Sequence, residues 1–90
     1  DVARLPGLGP ASAAMLARAG VRDAAALRRS DPVALYLRVR ALEPRASLNL
    51  LYALVGAHEG VDWRTIARER RTDLLTELDA RRAFDVKKVR

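Results

Sequence analysis

Apolar residues recur along the chain at helical spacing, and Gly, Pro and Asp interrupt them at regular points. Gly9-Pro10 predicts a helix start, with glycine at the cap and proline at the first helical position. Met15 and Leu16 face inward from this segment, which runs to about Ala19. Gly20 then ends it as a left-handed residue, and Val21 folds back on Leu16. Asp23 caps a short helix through Ala24, Leu27 and Arg28. Asp31-Pro32 opens the next, to about Leu42. Leu35 to Arg40 also alternates with a strand period, but the cap before it and the lack of a partner strand favour helix. Beyond Pro44, Ala46 to His58 is apolar on nearly every side, the signature of a central buried helix, and Gly60 ends it. Asp62 caps the last helix, with Val61 stapled onto Ile66. Its inner face runs through Trp63, Ile66 and Ala67, then Leu74, Leu75 and Leu78. Arg70 and Arg71 interrupt that stripe, so the helix breaks there or an arginine stem spans the gap. After Asp79 the pattern dissolves. The expectation is an all-α domain of five helices over residues 1–80 and a basic tail over residues 81–90.

Composition narrows the function classes. Ninety residues, 50% hydrophobic and 31% charged, make one small soluble domain. The absence of cysteine excludes a disulfide scaffold, a thiolate zinc site and a cysteine nucleophile. No apolar run approaches the ~18 residues of a membrane span, and no signal-peptide stretch opens the chain; the expected setting is cytoplasmic. The chain starts at Asp1 without an initiator Met, which leaves a preceding domain open. The formal net charge is +6, from 17 basic and 11 acidic residues. Arg81, Arg82, Lys87, Lys88 and Arg90 against Asp85 place most of that excess in the tail, and the body is nearly balanced. Such an arm reads as a solvated end or as a phosphate-backbone contact.

No catalytic set is visible. His58 is the single histidine and suits the C-terminal end of its helix. Ser12 and Ser47 have no paired base, and Asp73, Glu77 and Asp79 share a solvated helix face, on which Glu77 attracts Arg81. The expectation is therefore no enzyme, no metal, no cofactor and no small-molecule substrate. Asn49 stands out as a polar residue within the apolar central helix; buried, it needs a partner on a neighbouring loop or across an interface. Trp63 reads as a core anchor. Tyr52, beside it as an interaction or structural candidate, belongs to a set of four aromatics too few and too weakly interleaved with cations for a base-stacking platform.

The most specific local signal is Leu5-Pro6-Gly7-Leu8-Gly9-Pro10-Ala11-Ser12-Ala13-Ala14-Met15-Leu16. It has the form of a helix-hairpin-helix element. Two glycines permit a sharp turn and close approach, and the amides at the following helix start form an anion site suited to a phosphate. In that reading Gly7, Leu8, Gly9, Ala11 and Ser12 would meet nucleic acid, with Arg18 nearby and Arg81, Arg82, Lys87 and Lys88 adding reach. The same turn also serves simply to join two helices. The cations that often follow the second glycine are replaced here by Pro10, Ala11 and Ser12, and Pro10 removes one donor.

Leu5 to Pro10 together with Met15 to Val21 resembles the opening of the TfoX (Sxy) C-terminal domain family. Ser47-Leu48-Asn49-Leu50-Leu51-Tyr52-Ala53-Leu54 is similar to that family's Ser-Leu-Asn-Leu-Leu-aromatic-Ala-Leu helix, and Trp63 with Arg71 and Leu74-Leu75 to its final helix. The resemblance covers about residues 5–80. It implies a small helical fold with a helix-hairpin-helix-like core, in a family whose best-known members are bacterial regulators of natural competence. The domain there usually follows a distinct N-terminal domain, though stand-alone copies exist. The expected function is a non-enzymatic regulatory or adaptor domain acting by protein contact or self-association, with sequence-independent DNA binding as the alternative.

Overall fold

A computed structural model of the chain describes the backbone of residues 2–5 and 7–89, with side chains as far as Arg82. A 3-10 turn at Val2–Arg4 leads into six helices: α1 (Pro10–Arg18), α2 (Ala24–Arg29), α3 (Pro32–Leu42), α4 (Leu48–Glu59), α5 (Trp63–Glu69) and α6 (Arg71–Val89). There is no strand among the described residues, so the all-α expectation holds and Leu35 to Arg40 lies within a helix.

The centre is α4. Every residue from Leu50 to Gly56 is buried, and α2, α3 and α5 close around it. Helix α1 lies against α3, and α6 against α3 and α5. Leu16, Leu27, Tyr36, Val39, Ile66, Leu74 and Leu78 join the same core, which holds no polar or charged residue among those described. The Tyr36 hydroxyl, buried there, donates to the Ala46 carbonyl at 3.2 Å and so ties the α3–α4 loop down.

The helix ends follow the local chemistry. Asp23 accepts from the Ala26 amide at 2.7 Å, Asp31 from Val33 and Ala34 at 3.0 and 3.3 Å, and Asp62 from Arg64 at 2.7 Å. Gly20, at φ +95°, ends α1; its amide bonds Ala17 and that of Val21 bonds Leu16, the paired closure expected there. Gly60 ends α4 in the same left-handed region. Ser47 occupies the N-cap position of α4, but its side chain makes no cap hydrogen bond.

Of the two readings open at Arg70 the chain takes the break, so the last helix is two and the expected five helices are corrected to six among the described residues. A continuous helix would carry Arg70 along the buried stripe; the break lets its guanidinium reach the Glu59 carboxylate at 2.9 Å, while its carbonyl accepts the first bond of α6. The helical backbone also continues to Val89, past the expected end at Asp79, so residues 81–89 extend α6. Val61, expected to staple onto Ile66, remains 38% exposed.

Arg81 joins α6 to the start of α3, bonding Asp31 at 3.0 Å and Glu77 at 2.6 Å. Partial burial disfavours the ionised Asp31 carboxyl. Hydrogen bonds from the Ala34 amide and Arg81, with the charge of Arg81, outweigh that and hold it below its usual value. Its contribution to stability is therefore complete above the unfolded value of ~3.9 and is lost as pH falls through the lower folded value. Replacing Asp31 with Ala should cost about 1–2 kcal/mol at neutral pH, and urea unfolding should show the gap from the parent narrowing below about pH 4. A gap independent of pH would show that the carboxylate's charge contributes nothing.

Candidate interaction surface

The glycine turn faces inward. Gly7 has φ +80°, and a Cβ placed there would lie 2.6 Å from Cδ1 of Trp63 and 3.1 Å from Cβ of Ala53. The close approach that this glycine permits is thus to the Trp63 ring on α5 and to α4, within the domain itself. Leu8 beside it is buried in the core. Gly9 has extended backbone and open space where a Cβ would stand; it caps α1 without a side chain. The Leu8 amide bonds the Leu5 carbonyl at 3.0 Å and closes the turn. What precedes it among the described residues is the short 3-10 turn.

Other sequence candidates scatter. Ala11 is exposed and Ser12 half-buried on the first turn of α1. Arg18 is exposed but bonded to Glu43 at 2.8 Å, and Arg81 is held by Asp31 and Glu77. Arg82 is exposed, while the side chains of Lys87 and Lys88 lie outside the described residues. Tyr52 is buried, which removes it as a stacking surface. Trp63 is half-buried against the core, with the Arg64 guanidinium 5.2 Å from its ring centre. Asn49, expected to be buried, is exposed: it sits on the first turn of α4, ahead of the enclosed stretch that begins at Leu50.

His58 reaches further than its own helix. Its Nδ1 lies 2.7 Å from the Arg28 carbonyl, which can only accept, so Nδ1 carries the proton. The imidazole therefore satisfies a carbonyl in the last turn of α2. Among the described residues, no group of three or more His, Asp or Glu side chains is placed to hold a metal ion. No helix among them is long and apolar enough to cross a membrane.

Grooves cut the surface formed by the described residues. The first, of about 430 Å³, lies between α3, α4 and α6 and is crossed by the Arg70–Glu59 pair. The second, of about 330 Å³, lies beside Trp63 and Val61. Another, larger than these two at about 640 Å³, lies between α1 and the α3–α4 loop. Half-buried Met15 and buried Ala46 line its base, exposed Ala11 and Ala14 its side, and Arg18, Glu43 and Arg45 its edge. Sequence reasoning picked out Arg18 here but missed Ala14, Met15 and Arg45 as a surface. The places of Ala14 and Met15 on α1 were legible; the loop that brings Arg45 across the groove from them was not.

The geometry is that of a small helical scaffold with an apolar groove beside α1. The chain belongs to the TfoX C-terminal domain family, which it matches over residues 1–78, and so to a regulatory type of domain. No curated protein and no solved structure matches it.

The two glycines of the turn can be told apart by experiment. Gly7→Ala places a methyl group against Trp63 at a positive φ and should cost about 1–3 kcal/mol in chemical unfolding. Gly9→Ser should change stability by no more than a few tenths of a kcal/mol, roughly the spread among good N-caps. Equal effects at both positions would contradict the inward orientation of Gly7.

Proposed function

We propose that this domain is a non-enzymatic regulatory module of the bacterial cytoplasm that acts by docking on another protein, in keeping with its resemblance to competence regulators. The observation that carries this reading is the open apolar groove beside α1. Half-buried Met15 and exposed Ala11 and Ala14 stand next to it with no element among the described residues over them. An apolar concavity left open on a small domain offers a partner contact area that water does not favour.

The hairpin supports the same reading from the other side. Its left-handed glycine is occupied by Trp63. Its following helix starts with a proline, which has no amide to offer a phosphate. The break at Arg70 divides Arg64 and Arg68 on α5 from Arg71 and Arg82 on α6, so these cations do not form one helical stripe along a duplex.

Fluorescence anisotropy with a short generic DNA duplex tests this. Binding should be weak at low salt, vanish at physiological salt, and fall further when Lys87 and Lys88 are both replaced with Ala. Binding that persists at physiological salt and is lost in Gly9→Glu, a variant whose side chain enters open space, would make the domain a DNA-binding module instead.

A further inference from the structure

We propose that the groove between α1 and the α3–α4 loop receives an acidic amphipathic helix of a partner protein. This deepens the docking reading above and rests on it.

Shape comes first. Ala11 and Ala14 are three positions apart on one exposed face of α1, so a second helix can approach the α1 backbone closely there. Met15, half-buried beside them, offers a flexible apolar surface that adapts to a partner side chain. Ala46 on the loop side is held in place by the Tyr36 hydroxyl on its carbonyl, so that side of the groove is fixed before anything binds. The groove's ~640 Å³ is within the usual range of binding clefts, roughly 300–1,000 Å³. A helix presenting one apolar stripe is the occupant that such a groove recognises.

Charge then selects the partner. Arg18 and Arg45 stand at the edge against a single acid, Glu43, which Arg18 already holds at 2.8 Å. Arg45 forms no ion pair among the described residues and is exposed. The wider surface carries exposed cations of the same sign that no acid pairs among the described residues. Asp23, Asp31 and Asp62 cap helices, while Glu59, Glu69 and Glu77 hold Arg70, Arg68 and Arg81. Arg22, Arg29 and Arg38 remain exposed and unpaired among the described residues. The first-turn amides of α4 add in the same sense, since no side chain caps that helix. A second copy of this chain fits poorly: a two-fold contact would set Arg18 and Arg45 against themselves on two chains that each carry +6.

The test is an NMR titration of the isotope-labelled intact chain with a synthetic peptide. The peptide has Leu at i, i+3, i+4 and i+7 and Glu at most other positions. A matched peptide with Lys for Glu and a short DNA duplex are run beside it at physiological salt. The acidic peptide should shift the amides of Ala11, Ala14, Met15, Arg45, Ala46 and Ser47, and the Lys peptide should leave them unmoved. Arg45→Glu and Ala14→Glu, both at exposed positions, should each weaken binding about tenfold while leaving the rest of the spectrum in place. No shift at the groove at millimolar peptide overturns the proposal, as does equal binding of the two peptides. Shifts confined to another face overturn the assignment of the groove but leave protein docking standing. Duplex binding at physiological salt overturns both. A mass that rises with concentration, and falls back in Ala14→Glu, would give the groove to a second copy and overturn the acidic partner.

Discussion

Helix α4 has no face that water can cover, and the rest of the domain is arranged around that fact. From Leu50 to Gly56 every residue is buried, so neighbours are needed on all sides. The closest of them is the turn into α5. A Cβ on Gly56 would collide with the Val61 carbonyl and come within 3.3 Å of the Trp63 amide, so the chain leaving α4 doubles back directly across it. Gly60 makes that reversal at φ +73°, and the Val61 amide bonds the Gly56 carbonyl at 2.9 Å as it closes. Trp63, delivered by this turn, then covers the place where Gly7 must have no side chain. The turn at Gly7, the crossing at Gly56 and the position of Trp63 are thus one constraint seen at three residues.

Much of this was legible in the sequence where the causes are local. Asp-x-x patterns before Ala26, Ala34 and Thr65, Pro at Pro10 and Pro32, and Gly at Gly20 and Gly60 each act within a few residues of themselves, and the helix ends fall where they place them. Errors and open choices arose where a remote neighbour decides. Asn49 reads as buried if the whole central helix is enclosed, but enclosure begins one residue later. Periodicity could carry the last helix through Arg70 or break it there, and Glu59, eleven positions upstream, supplies the partner for the exposed side chain. Gly7 carries the same local signal whether it faces a phosphate or an indole, and only the fold says which.

The same distinction governs the surface. Several acids are engaged as caps and ion pairs in the folded chain; each ion pair takes up one cation with its acid, and Arg22, Arg29, Arg38 and Arg45 stay exposed and unpaired among the described residues. Each exposed pair contributes little to stability, about 0–1 kcal/mol. Their larger effect is on which charges remain for a partner to meet. Beside α1 that residual charge borders an apolar groove, a combination suited to a helix that is apolar on one side and acidic on the other.

The claim underneath all of this is that α4 is enclosed on every side and organises the domain. Native-state amide hydrogen exchange tests it most directly. The account predicts that Leu51 to Val55 exchange last, at the free energy of global unfolding, while the outer turns of α1 and α6 open earlier. Exchange in α4 as fast as in those outer turns would mean that the bundle is organised around some other element, and the inward reading of the Gly7 turn would lose its foundation.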